Sequence, residues 1–399
     1  MKTDVIVLGA GAIGLSLAYE LVRRGHEVTV VDRDRLGTVG GGTGPTAMLR
    51  RSSSSWAASG ILPPANLTPS TDPIDRLRGL SHRLFPDLVE RLKTETGIDS
   101  QLERCGGWYL ADTIGETASM VGMVSYWRDL EIECQAMDLA ELARREPALG
   151  PWTRQVRQAN AWWVPDEYQI RAPLYLDALV KACRNRGVTF LDRSTVADIK
   201  DTQNGVSVSV ESPQTDQTLH AAQAVVCGGT WSGLMTDRLQ LSRSLVPVRG
   251  QILMMQTETR VLSSVINFGH RYLVPRCDGV VLIGSCEEEV GFQHGTTPAI
   301  LADLRQFVRE VCPELASARE VAAWSGLRPM TFDGFPMCGK LPGGDSIFVA
   351  AGHFRSGIHL SPGTATCMAD LMSGRRPPIE MDAFRVGKQQ QHPSDEIRR

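Results

Sequence analysis

The chain has 399 residues, 42% apolar and 22% charged, with 42 Lys and Arg against 45 Asp and Glu for a formal charge of −3. That length favours two domains over one ordinary core, and the near-balance of charge removes any electrostatic reason to bind nucleic acid or an acidic membrane. The nine cysteines form no C-x-x-C pair, which argues against a disulfide framework or a zinc site, and no apolar run reaches the ~18–20 residues of a membrane helix, so a cytoplasmic protein without a metal is expected.

The first 32 residues organise the chain. An apolar run of strand type, Asp4–Leu8, ends in Gly9-Ala10-Gly11-Ala12-Ile13-Gly14, an amphipathic segment follows, and the second apolar run Val28–Val31 closes on Asp32, 18 positions after Gly14. Strand, glycine turn, helix, strand and acid in this order form the dinucleotide fingerprint. Gly9 permits the tight turn, Gly11 admits a pyrophosphate to the backbone, and Gly14 lets helix and strand pack closely. The helix start offers free N–H groups and about half a positive charge to phosphates. Asp32 accepts from ribose hydroxyls, which argues against a 2′-phosphate.

The helix is predicted to run from Ile13 to Arg24 and to end at Gly25. The glycine-rich segment 33–45 reads as a loop, and Ser52–Leu62 as a small-residue helix start packed against something flat or charged. Helical periodicity covers 74–97, with Leu77, Leu80, Leu84, Leu88, Val89 and Leu92 on one side. A strand from Cys105 opens a second domain, with helices near 115–130 and Asp138–Glu146 and a break bracketed by Pro147 and Pro151. The bend 161–173 leads into a helix to about 186, then strands at 188–192 and 206–210, the polar hairpin Ser212–Thr218, and the strand Ala221–Cys227 running into Gly228-Gly229-Thr230-Trp231. A β region follows over Val246–Met255 and Tyr272–Ser285, then a helix at 298–310 and strands at Glu320–Ala323 and Ile347–Ala350. The last strand ends in Gly352-His353-Phe354-Arg355-Ser356-Gly357-Ile358 before a helix over Gly363–Met372, and a polar tail begins near Phe384. Glycine junctions near 9, 228 and 352 suggest one elongated ligand touched from distant parts of the sequence, and FAD fits that habit better than a nicotinamide cofactor.

The segments Trp324–Gly339 and Ala351–Ile358, with Pro247–Gln251, Gly269–Arg276 and Pro165–Ile170, resemble the FAD-dependent amino-acid oxidases of the D-amino-acid oxidase type. The Ala351–Ile358 loop is similar to the flavin-contacting loop of glycine oxidase, the enzyme that supplies an imine for the thiazole of thiamine. The resemblance runs from about residue 3 to about 375 and departs in the long segment between Asp32 and Trp56, in Asp32 where Glu is commoner, and at Met330 and Cys338. It implies an α/β fold: a Rossmann-like FAD-binding domain (1–100, 150–240, 325–385), a discontinuous β-rich substrate domain (101–149, 241–324) and a flexible tail (386–399).

The family's pattern implies that Arg328 holds the substrate carboxylate through two charge-assisted bonds, joined by the Tyr272 hydroxyl, with His270 on the same strand at the pocket. It implies non-covalent FAD contacts at Gly9, Gly11, Ala12, Ile13, Gly14, Asp32 and Arg33, at Ala58, Gly60, Val196, Gly228 and Trp231, and at Gly352, His353, Phe354, Arg355, Ser356, Gly357 and Ile358. Arg355 serves either flavin or substrate, and Glu287, if inward, favours a small or cationic amine. The expected reaction is oxidative deamination of glycine, sarcosine or a small D-amino acid by hydride transfer to flavin, with oxygen reduced to hydrogen peroxide. A D-amino-acid dehydrogenase reducing a quinone, a non-catalytic flavoprotein assembly factor, a covalent-flavin sarcosine oxidase and an NAD-dependent dehydrogenase are the competing readings, and a homo-oligomer is left open.

Overall fold

The structure is a computed structural model that describes residues 3–36, 53–235, 241 and 244–387. The glycine-rich loop expected over 37–55 lies mostly outside the described residues, as does the tail from 388 onward.

The short apolar runs Val5–Leu8, Val28–Val31 and Gln223–Val226 are buried on both faces, the mark of strands that sit inside a parallel sheet. They form a six-stranded sheet in the order Met337–Lys340, Ile347–Ala351, Gln223–Val226, Val5–Leu8, Val28–Val31, Thr189–Leu191. Every pairing is parallel except the first, which is antiparallel. Alternate residues go to opposite faces. Val5, Val7, Val28 and Val30 meet the helices Ala12–Arg23, Pro73–Thr96, Ala172–Asn185 and Gly357–Met372. Ile6, Leu8 and Val31 face a three-stranded antiparallel sheet of Thr195–Thr202, Gly205–Glu211 and Gln217–Ala221.

An eight-stranded sheet stands beside this layer, in the order Arg319–Met330, Val246–Gln256, Val280–Gly284, Arg271–Pro275, Val265–Phe268, Gly107–Ala111, Asn160–Val164, Gln135–Met137. One face buries Leu253, Ile266, Leu273 and Ile283 under Leu304, Phe307 and Val308 of the helix Pro298–Val311. The other joins the core of the nucleotide layer through Ile252, Val274 and Trp324.

Several elements differ from the sequence expectation. Asn160–Val164 pairs with Gly107–Ala111 in the antiparallel sheet, although residues 150–240 were expected with the nucleotide-binding layer. The expected strand Ala221–Cys227 divides: Gln217–Ala221 closes the three-stranded sheet, and Gln223–Val226 enters the parallel one. The expected short strand Glu320–Ala323 runs on to Met330 because it pairs with Val246–Gln256 along its whole length. The last helix begins at Gly357 rather than Gly363, with Pro362 inside it. Pro362 donates no N–H, and the Ser361 hydroxyl donates instead to the Ile358 carbonyl at 2.8 Å.

Candidate active site

A cavity of about 630 Å³ runs between the two large sheets, inside the size range of cofactor and ligand pockets. Its walls come from all three glycine junctions, from Ser53–Gly60 and from the strands that carry Tyr272 and Arg328.

At one end the strand Val5–Leu8 turns sharply into the helix Ala12–Arg23. Gly9 has φ +112, and a Cβ there would stand 2.6 Å from the Cys227 carbonyl oxygen. A Cβ on Gly14 would stand 2.0 Å from the Gly9 carbonyl oxygen. Gly14 thus sets the helix against the turn and does not line the cavity, whereas Gly9, Gly11, Ala12 and Ile13 do. Asp32 accepts from the Ala10 N–H at 2.5 Å and from the Asp34 N–H at 2.8 Å, and burial pushes its carboxyl up despite those bonds. The guanidinium of Arg33 lies 4.0 Å from the Trp231 ring centroid, and His294 stacks on Trp231 at 5.6 Å. Arg33, Val196, Gly228 and Trp231 all line this end.

The expected helix start at 52–62 is a turn over Ser54–Ala57 instead. It is tied to the strand of Arg328: Ser54 Oγ donates to the Leu327 carbonyl, and Trp324 Nε1 donates to the Ala57 carbonyl at 3.1 Å. The Ser55 hydroxyl accepts from the Ala12 N–H at 3.0 Å, so a serine caps the helix where the fingerprint offers free donors. Ala58 and Gly60 follow along the wall.

At the other end Arg328 rises from the strand Arg319–Met330. It donates to the Cys286 carbonyl at 2.9 Å and to Ser285 Oγ at 2.7 Å. Of a guanidinium's five N–H donors, these bonds take two. The planar group lies over Gly250, where a Cβ would sit 2.2 Å from Nη2. Burial holds Arg328 below the usual arginine range, with the charges of Arg355 and Glu287 close by. Tyr272 is 7% exposed, packs against Gly284 and shares the cavity with Arg328.

Opposite Tyr272 across the strand pair is Asn267, which also lines the cavity. Its amide donates to Glu167 Oε1 at 2.9 Å, and the Tyr109 hydroxyl donates to the other oxygen. Glu167 is fully buried, and burial pushes its carboxyl up to about 7. Its proton is therefore held more tightly folded than unfolded, so the fold loses roughly 3 kcal/mol as pH rises from about 4.5 to 7. Glu167→Gln removes that titration. The thermal midpoint of the variant is expected to gain on the wild type as pH is raised from about 5 to 8, and a pH-independent gap would show that Glu167 does not titrate in this window.

The loop after the strand Ile347–Ala351 closes the cavity. Gly352 through Ile358 all line it. His353 bonds Thr364 Oγ1 at 3.1 Å, and burial holds its imidazole down to about 3, so it is neutral. Arg355 pairs with Glu287 at 3.0 Å at the exposed rim. Glu287 does not line the cavity and is spent on that pair, while Glu288 braces Arg249 at 2.9 Å. His270 departs from expectation. The strand begins only at Arg271, which leaves His270 in the exposed turn after Phe268 and away from the cavity lining.

Several wall residues escaped the sequence reading: Ser53–Ser55, Ser194, Thr195, Gly250, Asn267 and His359. The serine run was visible as a run, but Asn267 and His359 carry no motif. Their only signal is a polar side chain at a strand or helix position otherwise filled by apolar residues. Among the described residues no group of three or more His, Cys, Asp or Glu is arranged to hold a metal, and no helix is long and apolar enough to cross a membrane.

The residues fit FAD. Two helix N-termini, at Ala12 and at Gly357, open on one cavity, one suited to a pyrophosphate and the other to the flavin edge where charge gathers on reduction. Asp32 stands beside the first and Arg328 beside the second.

Comparison with known proteins agrees with this geometry. The family described as FAD dependent oxidoreductase matches residues 4–371. Glycine oxidase of Geobacillus kaustophilus is 30% identical over 384 residues, 96% of each chain. Glycine oxidase of Pseudomonas aeruginosa is 30% identical over 382 residues, 95% of this chain and 97% of the relative. The crystal structure of the Geobacillus kaustophilus glycine oxidase superposes with a TM-score of 0.85 at 29% identity, covering 97% of this chain and 99% of that one. The family match over residues 4–371, with 30% identity across 96% of a relative, places this chain in the FAD dependent oxidoreductase family.

Proposed function

We propose that the chain catalyses FAD-dependent oxidative deamination of a small amino acid, of the class glycine, sarcosine or a small D-amino acid, with oxygen as electron acceptor. The glycine oxidases to which it is similar support the substrate class. The observation that carries the reading is the Arg328 guanidinium, held by Cys286 and Ser285 beside Tyr272 in the cofactor cavity. Bound FAD supplies the two-electron acceptor and passes the electrons on to oxygen as hydrogen peroxide.

Arg328 holds the carboxylate, Tyr272 adds a hydroxyl to the same group, and together they fix the substrate Cα. The N–H groups at the start of the Gly357–Met372 helix stabilise negative charge in the cofactor. The Gly9–Gly14 turn and Asp32 hold the adenosine end. In this reading the six-stranded sheet carries the nucleotide-binding domain, and the eight-stranded sheet carries the substrate domain.

The test is the visible spectrum of the purified protein, with a peroxide assay against glycine, sarcosine and a panel of D-amino acids. Peroxide from L-amino acids alone overturns the substrate class, and dye reduction without peroxide overturns the oxidase reading. Cys338 is buried and outside the cavity lining, so acid precipitation is expected to leave the yellow flavin in the supernatant. Colour retained in the pellet would show a covalent link.

A further inference from the structure

Asn267, on the strand Val265–Phe268, lies directly opposite Tyr272 on one side and Tyr109 on the other. Opposed residues put their side chains on the same face of a sheet, with Cβ atoms ~4.5–5.5 Å apart in an antiparallel pair. Tyr109, Asn267 and Tyr272 therefore form one row, and Asn267 and Tyr272 line the cavity. Glu167 lies behind the row. It accepts from Asn267 Nδ2 at 2.9 Å and from the Tyr109 hydroxyl. Gly107 makes room for it, since a Cβ there would stand 2.6 Å from the Glu167 carboxyl carbon.

This arrangement decides which way the amide points. An ionised carboxylate only accepts hydrogen bonds, so Glu167 holds the NH2 group of Asn267 and turns Oδ1 the other way. Oδ1 bonds none of the described residues and is not one of their buried, unpartnered atoms, so it can be reached from the cavity that Asn267 lines. The bond to a charged partner polarises the amide and strengthens Oδ1 as an acceptor. Acceptors are scarce at this end. The charged side chains in its lining are Arg328 and Arg355, which only donate, and Glu287 stays outside.

We propose that Asn267 is a specificity-determining residue that takes an N–H of the substrate amine on Oδ1. The inference rests on the reading of Arg328 and Tyr272 as the carboxylate site. With the carboxylate held there, the amine sits one atom beyond it, on Cα, and Asn267 is the next polar side chain along the row from Tyr272. The acceptor suits ammonium and neutral amine alike, because each keeps an N–H. It selects against a carboxylate of the same shape without nitrogen, which would leave Oδ1 unpaired in the closed site. Glu167 touches no substrate and is a positioning residue, fixing the sense of the amide.

The test compares glycine with acetate, which lacks only the amine, on the FAD-loaded protein at about pH 8, where Glu167 with its carboxyl at about 7 is ionised. In Asn267→Leu, kcat/KM for glycine is expected to fall roughly 10–100-fold, while the acetate dissociation constant, read from the flavin spectrum, moves by less than about twofold. If glycine binds without being oxidised, its dissociation constant, read the same way, replaces kcat/KM. Glu167→Gln lets the neighbouring amide turn over, because a glutamine can also donate, to Oδ1. That variant should erode the same preference for glycine over acetate, and it carries the test if Asn267→Leu fails to fold or to retain FAD. Equal losses for the two ligands would mark general damage to the pocket and overturn the inference, as would a wild-type preference in both variants. An eroded preference without peroxide from any amine upholds the inference and refutes the proposed function; peroxide from glycine with the preference intact does the reverse.

Discussion

Arg328→Leu is expected to lower kcat/KM for the amino-acid substrate by roughly 10²–10⁴-fold while the flavin spectrum stays unchanged. The magnitude follows from losing two charge-assisted bonds to the carboxylate, each about 1.5–3 kcal/mol, at about 1.4 kcal/mol per tenfold. The loss falls on orientation as well as binding, because the carboxylate is the handle that sets Cα against the cofactor. Arg328→Lys restores the charge but not the fork, so it should recover only part of the rate. The pocket is built for the planar group: Gly250 leaves no Cβ beneath it, and Cys286 and Ser285 hold its edge. Activity within about threefold of wild type in Arg328→Leu would refute the carboxylate anchor.

The second large effect belongs to the turn between the strand Val5–Leu8 and the helix Ala12–Arg23, and it separates two glycines of one motif. In Gly14→Ala the new Cβ meets the Gly9 carbonyl oxygen at 2.0 Å, a backbone atom that cannot step aside. The helix must back away from the turn, at an overpacking cost of about 1–3 kcal/mol. Both the thermal midpoint of the apoprotein and its affinity for FAD should fall, the latter by roughly 10–100-fold. In Gly11→Ala the new Cβ meets only the Ser55 hydroxyl, at 3.3 Å, but it stands on the cavity wall. That variant should melt like the wild type and still bind FAD weakly. Calorimetry of the apoproteins and fluorescence titration with FAD separate the two roles. A Gly14→Ala protein with wild-type stability would show that the helix does not bear on the turn.

The legible parts of the site were those whose chemistry is local in sequence. Gly9, Gly11, Gly14 and Asp32 announce themselves because turn, helix start and acid follow each other within one βαβ unit. Arg328 and the run Gly352–Ile358 carried the family's pattern in short motifs. His270 misled because alternation along a strand places His270 and Tyr272 on one face, and that argument holds only where the strand exists. Pairing with Val265–Phe268 reaches no further than Arg271. The strand of Arg328 was read short because its extension to Met330 depends on a partner some 80 residues earlier, the strand Val246–Gln256.

By itself, then, the sequence carried a dinucleotide fingerprint at its N-terminus and the motifs that place the chain with the FAD-dependent oxidoreductases, since those signals lie in contiguous residues. Only the tertiary structure decided which side chains line the cavity and which groups stand behind them. Asn267 and Glu167 are 100 residues apart, and His82 and His359 are 277 apart. Their meeting depends on how two sheets and two helices pack, and a hydrogen bond between such distant residues leaves no periodicity or spacing to read along the chain.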